Sequence, residues 1–152
     1  MSVPYQDPFL FLREPYTSYA HEVSHVSNKD KSFLLTTSRL AYASTNRFRI
    51  ACLVVRSGSV LGYDVNFKKV TPATPPNRFS THAEIRAIDS VNDPQGSTVY
   101  IARLKLNNTK AMAKPCSWCM EYLITNGVYR VVYTVDEQNS ESFYTSTVKW
   151  KH

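Results

Sequence analysis

Long hydrophobic runs are scarce in this sequence, and their absence excludes whole classes of protein. The longest uncharged apolar run extends only from Ile50 to Val55, whereas a helix that crosses a bilayer needs roughly 20 apolar residues. The first residues also lack the basic start and small-residue cleavage site of a secretory leader. We therefore expect a soluble, cytoplasmic protein with no membrane partner.

Cysteine is also scarce, which argues against a secreted scaffold held together by disulfides. The chain has three cysteines, an odd and small number for such a scaffold. Cys116 and Cys119 form a C-x-x-C pair, and reduced thiols available to a metal are the better interpretation of that pair. Cys52 lies inside an apolar run and is interpreted as a core thiol.

The overall composition is that of an ordinary globular protein. With 152 residues, 43% of them hydrophobic and 20% charged, the chain is long enough for one domain with a real core. We predict a single domain over residues 1–152. It would comprise an N-terminal extension (1–28), a core (29–135) and a C-terminal edge segment (136–152).

Acidic residues are nearly absent from two stretches, so the net charge of +6 is unevenly distributed. Residues 39–81 contain seven basic residues and one acidic residue, Asp64, and residues 102–114 contain four basic residues and no acidic one. The eleven basic residues are Arg39, Arg47, Arg49, Arg56, Lys68, Lys69, Arg78, Arg103, Lys105, Lys110 and Lys114. A solvated basic face is one interpretation, and a phosphate-bearing partner is the other.

Hydrophobic periodicity predicts an alternation of helices and strands. A helix capped by Asn28 or Asp30 runs to about Ser44, and a β-hairpin follows at 48–55 and 60–67. A proline-rich loop (68–80), a helix capped by Thr81, a strand (98–106), a helix (116–126) closed by Gly127 and a strand (129–135) come next. Residues 143–150 are a candidate edge strand. The order predicts an α/β sandwich whose later strands are parallel.

The first metal-binding pattern along the chain is His21-Glu22-Val23-Ser24-His25. On a helix, H-E-x-x-H places two imidazoles beside a glutamate, as in zinc peptidases. The third ligand that such enzymes need is missing downstream, where residues 26–31 read Val-Ser-Asn-Lys-Asp-Lys. We therefore interpret the two histidines as packing or surface residues of the N-terminal segment.

A second set of candidate ligands lies at the start of two predicted helices. These are His82, in the sequence H-A-E, and the pair Cys116 and Cys119, in P-C-S-W-C. Helix N-termini favour anions, and thiolates are the form in which cysteine binds zinc. Three protein ligands leave a fourth position open, as in a catalytic zinc site. Glu84 can then act as a proton carrier, or alternatively as a capping-box partner of Thr81.

The two blocks H-A-E and P-C-x-x-C resemble the signature of the cytidine and deoxycytidylate deaminase superfamily. The resemblance extends over about Asn28 to Val135. It implies a three-layer α-β-α fold with a mixed sheet of about five strands and two zinc-bearing helices. It also implies that His82, Cys116 and Cys119 hold Zn²⁺, that Glu84 shuttles protons, and that ammonia leaves a base. Family members commonly assemble into homo-oligomers, which we also expect here.

The resemblance further suggests residues that contact the substrate, each with a structural alternative. Asn66 would face the sugar or act as a strand-end turn residue, while Tyr133 and Trp118 would present aromatic rings or simply pack. The full set of predicted substrate contacts is Asn66, Lys68, Arg78, Thr81, Ala83 and Tyr133.

The sequence leaves the substrate open between two kinds of molecule. The basic stretches that precede His82 and Cys116 favour an anionic substrate, and the small number of aromatic residues in those loops favours a mononucleotide such as dCMP over a nucleic-acid strand. The stretch GYDVNF departs from the Gly-Tyr-Asn-Gly of deoxycytidylate deaminases, so their allosteric control is not expected. Compact phage deaminases look similar, which would place the protein in a host cytoplasm.

The alternative enzyme is a deaminase of cytosine or adenine in single-stranded DNA or RNA. A third hypothesis is a non-catalytic module with a structural zinc and a nucleic-acid-binding basic face. It requires a fourth protein ligand, for which His21, His25, Cys52 and His152 are the candidates.

Overall fold

A mixed sheet runs through the centre of the chain in the computed structural model, which describes residues 18–45, 48–68 and 80–151. Its strands are β2 (Arg49–Arg56), β3 (Ser59–Val65), β6 (Thr98–Leu104), β7 (Lys110–Ala111), β8 (Arg130–Thr134) and β9 (Ser140–Tyr144). Five of them follow the spatial order β3-β2-β6-β8-β9, and the short β7 pairs with the end of β6. β6 and β8 are parallel and the other pairs are antiparallel.

The remaining elements lie around this sheet. The helices are α1 (Asn28–Ala41), α2 (Ala83–Asp89) and α3 (Ser117–Thr125). The other elements are a short 3-10 helix (Thr145–Thr147) and two small antiparallel pairs: β1 (Ser18–Ala20) with β10 (Lys149–Lys151), and β4 (Phe67–Lys68) with β5 (Ser80–Thr81). None of the described helices has the length and hydropathy needed to span a membrane.

The two faces of the sheet bury separate hydrophobic clusters, which confirms the three-layer arrangement. On one face, Cys52, Val99 and Ile101 pack with Ala83 of α2 and Met120 of α3. On the opposite face, the alternate residues of the same strands pack against α1. Because strand side chains alternate between faces, each strand serves both layers. The predicted α/β fold with a mixed sheet is therefore correct.

The hairpin of β2 and β3 has the turn chemistry that its sequence indicates. Ser57 and Gly58 form a two-residue connection between Arg56 and Ser59, and both adopt positive φ, of 52° and 77°. Positive φ at both central residues is typical of the tight hairpin turns that match strand twist. Gly127 likewise has φ of 81° and ends α3, as predicted.

Helix boundaries differ from the predictions at three points. α1 is capped by Ser27, not by Asn28 or Asp30, and ends at Ala41. Asp30 is instead the third helical residue and forms a capping box with Ser27. In α3, Cys116 is the N-cap residue and the helix begins at Ser117. α2 is capped by His82, so the prediction that Thr81 caps it was wrong.

The buried residues of α2 are not the ones that hydrophobic spacing alone would select. Large apolar side chains recur at Ile85, Ile88 and Val91, but the buried residues are Ala83, Glu84, Ala87 and Ile88. Small alanines let the helix backbone approach β2 and β3 closely. Because the helix turns its alanine side towards the sheet, Glu84 also points inward, away from solvent.

Candidate functional site

The start of α2 and the start of α3 bring three potential metal ligands together. His82, Cys116 and Cys119 form a group whose ligand atoms all lie within 4.8 Å of one another. The Cys119 Sγ is 3.0 Å from His82 Nδ1, and the Cys116 Sγ is 3.9 Å from the same nitrogen. Two residues, Cys116 and His82, are the N-caps of their helices, so both sit where helix N–H groups point outward.

These three residues fit a zinc ion. Tetrahedral zinc with sulfur and nitrogen ligands at about 2.3 and 2.0 Å places a ligand sulfur roughly 3.6 Å from a ligand nitrogen. The distances of 3.0 and 3.9 Å bracket that value. The donor set of one imidazole and two thiols is also a chemistry that zinc accepts readily.

The local electrostatics favour the thiolate form of Cys116. The pKa of its thiol is lowered to about 4, chiefly because of a hydrogen bond with the Cys119 thiol, and the adjacent His82 lowers it further. The backbone N–H of Cys119 also donates to the Cys116 Sγ, at 3.5 Å. A thiolate at this position is ready to bind a metal without first losing a proton.

Glu84 lies beside the three ligand residues but is buried. Burial raises the pKa of its carboxyl group, although charge interaction with His82 and a hydrogen bond with Cys119 act in the opposite direction. Glu84 is the second residue of α2, whereas a capping box uses the third. The capping-box alternative is therefore wrong, and the carboxyl group is left directed towards the ligand residues.

Trp118 lies at the edge of the same group. Its ring is perpendicular to the His82 ring, with centroids 5.6 Å apart. The half-buried indole therefore borders the potential metal ligands. This position is compatible with the first of the two roles given above for Trp118, an aromatic ring presented to the substrate.

The other predicted contacts are placed differently. Asn66 is 3% exposed, and its amide accepts from Ile50 N and Ser44 Oγ and donates to the Phe48 carbonyl. Tyr133 is fully buried, and its hydroxyl donates to Glu141 at 2.6 Å. Both side chains thus have partners within the protein, and their contact with a substrate stays a prediction.

Three predicted contacts depend on segments that are described only in part. In the pair of β4 and β5, Thr81 lies opposite Phe67 and Lys68 lies opposite Ser80, which places the residue before His82 next to the residue after Asn66. Their side chains lie outside the described part of the chain, and so does Arg78. Ala83, the residue after His82, is fully buried.

The H-E-x-x-H pattern takes no part in this group. Residues 21–25 lie between β1 and α1 and are not helical, and Ser24 forms an isolated bridge with Ser142 of β9. The His21 ring stacks on Phe143 with centroids 3.9 Å apart. A zinc peptidase needs this pattern on a helix, so the peptidase hypothesis is excluded.

The structural-zinc hypothesis required a fourth protein ligand. Among the described residues the ligand group has three members, and His21, His25 and Cys52 are not among them. The fourth candidate, His152, lies outside the described residues.

Sequence reasoning missed two residues near this site. Arg103 belongs to a basic stretch, but nothing in the sequence separates it from its neighbours. Tyr19 donates a hydrogen bond to the carbonyl of Pro115, next to Cys116, across 96 positions of the chain. Contacts over such a separation leave no local sequence signal.

Comparison with known proteins agrees with this geometry. Residues 27–135 match the model of the family described as cytidine and deoxycytidylate deaminase zinc-binding region. No curated protein sequence matches the chain significantly.

Solved structures share the fold at low sequence identity. A dCMP deaminase from the cyanophage S-TIM5 in apo form is 22% identical, with a TM-score of 0.54 over 69% of this chain and 81% of that chain. The same cyanophage enzyme in complex with dCMP and dUMP is 20% identical, with a TM-score of 0.51 over 72% and 83%. A cytidine deaminase from Burkholderia pseudomallei is 14% identical, with a TM-score of 0.60 over 76% and 92%.

Proposed function

The chain belongs to the cytidine and deoxycytidylate deaminase zinc-binding family, and we propose that it converts a cytosine nucleotide of the dCMP type into the uracil nucleotide. It is a hydrolytic deaminase: water is consumed, the exocyclic amino group leaves as ammonia, and a carbonyl group replaces it. The observation that carries the proposal is the convergence of His82, Cys116 and Cys119 beside the buried Glu84. Homo-oligomer assembly and a cytoplasmic location stay predictions from the sequence.

The protein's own residues divide the chemistry between them. His82, Cys116 and Cys119 would hold zinc, which would supply a Lewis acid that lowers the pKa of water and so makes a hydroxide nucleophile available near neutral pH. The Glu84 carboxylate would accept a proton from the attacking water and deliver it to the departing amino group. Its raised pKa suits both steps, since a carboxyl group that is too acidic is a poor proton acceptor.

An anionic substrate is supported by Arg103. In β6, Arg103 follows Val99 and Ile101 at intervals of two, so it points to the face that carries α2 and α3. β7 pairs with Arg103 through Ala111, five residues before Cys116. Arg103 therefore lies at the end of the sheet, and on the face, that carry the ligand group.

No residue in the described part of the chain neutralises the charge of Arg103. Its guanidinium carbon is 4.9 Å from the centroid of the Phe48 ring, and its buried Nε has no hydrogen-bond partner among the described residues. Within the described ranges, no ion pair includes Arg103. A buried donor without a partner costs free energy, which a phosphate oxygen would recover.

Direct turnover tests the proposed reaction. The zinc-loaded protein is incubated separately with cytidine, dCMP, dCTP, a 5-substituted dCMP and a short single-stranded DNA, and each product is analysed by mass spectrometry and by ammonia release. We expect dCMP or its 5-substituted form to be converted fastest. If none of the five is converted by protein that carries one zinc per chain, the proposal is wrong.

Replacement of Arg103 by Gln should discriminate between substrates with and without phosphate. A charge-assisted hydrogen bond contributes about 1.5–3 kcal/mol, so kcat/KM for dCMP should fall by roughly 10- to 100-fold. The value for deoxycytidine should change little, because it has no phosphate to lose. Steady-state kinetics with both substrates measures this difference.

Arg56→Gln provides the matched control. Arg56 ends β2 at the opposite end from Arg49, and it donates to the carbonyls of Asp93 and Gln95. Arg56→Gln should leave kcat/KM unchanged for both substrates. If Arg103→Gln lowers kcat/KM equally for dCMP and deoxycytidine, Arg103 does not recognise the phosphate.

A second candidate function is deamination of a base in single-stranded DNA or RNA. Two exposed aromatic rings near the same end of the sheet favour it: Tyr42 and Phe48 are 53% and 54% exposed. Arg49 lies 5.5 Å from the Tyr42 ring centroid and Arg103 lies 4.9 Å from that of Phe48. Exposed aromatic rings next to cations are typical of surfaces that bind single strands. Conversion of the oligonucleotide without conversion of dCMP would favour this function.

A further inference from the structure

The described residues before α1 (18–27) are attached to strands β9 and β10. β1 pairs with β10, and Tyr19 lies directly opposite Trp150 in that pair. Further along, Ser24 bonds to Ser142 of β9 through backbone and side chain, at 2.8 and 2.6 Å. These residues are thus held at two places, and Tyr19 lies at the first of them, with its side chain in the hydrophobic core.

Tyr19 is the residue through which this segment reaches the zinc-ligand turn. Its hydroxyl donates a hydrogen bond of 2.5 Å to the Pro115 carbonyl in a buried environment. Its ring packs edge-on against Trp150, with centroids 5.6 Å apart. On another side, the Lys114 ammonium lies 4.6 Å from the Tyr19 ring centroid. Two consecutive residues before Cys116 are therefore in contact with one side chain.

The Pro115 carbonyl has a direct geometric connection to the Cys116 ligand. That oxygen belongs to the planar peptide group that joins Pro115 to Cys116, so a hydrogen bond to the oxygen restricts the orientation of the whole plane. Cys116 then extends from this plane as the N-cap of α3, with φ of −68° and ψ of 166°. The direction of its Cα–Cβ bond, and hence the place of its sulfur, depends on that orientation.

We propose that Tyr19 is a positioning residue of the zinc site, whose hydroxyl holds the Pro115–Cys116 peptide so that the Cys116 sulfur meets His82 and Cys119. The inference rests on the proposed function only in taking these three residues as the zinc ligands. Hydrogen bonds that orient metal ligands from outside the ligand set typically change metal affinity or activity by 10- to 100-fold. Residues 18–27 are then a working part of the metal centre.

If Tyr19 only stabilised the fold, its replacement would affect the metal site no more than replacement of another buried tyrosine. Tyr100 is that control. The Tyr100 hydroxyl is also buried and donates to Asp30 at 2.8 Å, but its ring belongs to the cluster on the α1 face of the sheet. Phenylalanine at either position deletes one buried hydroxyl and keeps the ring. Tyr19→Phe and Tyr100→Phe should therefore lower Tm by similar amounts.

Metal readouts separate the two roles. Zinc release from the full-length loaded protein into excess chelator is followed with time, and the visible spectrum of the cobalt-substituted protein reports thiolate ligation. We expect Tyr19→Phe to release zinc about 10- to 100-fold faster than wild type and to alter the cobalt–thiolate absorption. Tyr100→Phe should match wild type in both measurements.

A third variant tests whether the hydroxyl or the packing matters. Trp150→Phe loosens the contact with the Tyr19 ring but keeps the hydroxyl, so it should release zinc at nearly the wild-type rate. If Tyr19→Phe releases zinc no faster than Tyr100→Phe and leaves the cobalt spectrum unchanged, Tyr19 is only an anchor for the N-terminal segment. Neither measurement uses a substrate, so this outcome is distinct from failure of the deaminase proposal.

Discussion

Glu84→Gln is expected to lower kcat by roughly 10²- to 10⁴-fold or more while leaving zinc bound at one ion per chain. Gln keeps the size of the side chain and its hydrogen-bonding capacity but can neither accept nor release a proton near neutral pH. A loss of turnover without a loss of metal would therefore isolate proton transfer from zinc binding.

The size of this effect follows from the position of Glu84. Its carboxyl group interacts with His82, Cys116 and Cys119, yet it is not part of the ligand group itself. It is also buried, so bulk water does not readily replace it as a proton carrier. A proton carrier is needed twice in each turnover, once for the attacking water and once for the leaving amino group.

Asp89→Asn on the same helix is the appropriate control for Glu84→Gln. Asp89 ends α2 and accepts a hydrogen bond from Tyr122, so its amide replacement changes the charge of the helix but not the group near the ligands. We expect wild-type turnover from it. Retained turnover in Glu84→Gln, with the zinc content of both variants measured by metal analysis, would remove Glu84 from the mechanism.

The ligand group could be anticipated from the sequence because its signals are local. His82 and the pair Cys116 and Cys119 each lie in a short motif at a helix start, and helix starts can be recognised from neighbouring residues. The parallel β6 and β8 follow from the helix between them, since a crossover connection is needed to place two strands side by side in the same direction. Local patterns therefore sufficed to predict that these three residues meet, and to predict the order of the layers.

Other features depend on contacts that no local pattern encodes. α1 is capped by Ser27, one residue before Asn28, because the side chains of Ser27 and Asp30 each accept from the other's backbone N–H; several nearby polar residues could compete for this role. In α2, hydrophobicity favours Ile85 for the buried stripe, but close packing against the sheet selects Ala87. Tyr19 reaches the ligand turn only because β1 and β10 pair from opposite ends of the chain.

Asp30→Asn is expected to lower the free energy of unfolding by about 3–5 kcal/mol, the usual cost of removing one partner from a buried ion pair. The side chains of Asp30 and Arg130 are only 6% and 13% exposed, and their nearest N and O atoms are 2.8 Å apart. The Asp30 carboxylate also accepts from Tyr100 and from the backbone N–H of Ser27. Asn at this position leaves the Arg130 charge buried without a counter-charge.

This ion pair joins parts of the fold that are far apart in the sequence. Asp30 lies in the first turn of α1, whereas Arg130 begins β8 and also donates to the His25 carbonyl and to Ser142 of β9. Its loss should therefore loosen the attachment of α1 and of the segment before it. With about 2–4 °C per kcal/mol for a chain of this size, Tm should fall by roughly 10 °C.

An exposed ion pair of the same chain provides the control. The side chains of Arg56 and Asp93 are 38% and 71% exposed and their charged atoms are 3.9 Å apart, so Asp93→Asn should cost less than about 1 kcal/mol. Thermal unfolding of both variants, followed by circular dichroism, compares the two costs directly. A Tm for Asp30→Asn no lower than that of Asp93→Asn would contradict the assigned role of Asp30.

The pH dependence of the difference between wild type and Asp30→Asn follows from the same contacts. Burial alone would raise the pKa of Asp30, but hydrogen bonds from Arg130, Ser27 and Tyr100 outweigh it and hold the pKa at about 2. In the unfolded chain the carboxyl group titrates near its usual value of about 3.9. Between these values the unfolded state binds more protons than the folded state, so stability falls as pH falls.

The Tm advantage of wild type over Asp30→Asn should be constant above about pH 5 and should shrink as pH drops from about 4 towards 2. An advantage that does not change across this window would mean that Asp30 does not stabilise the fold as a carboxylate.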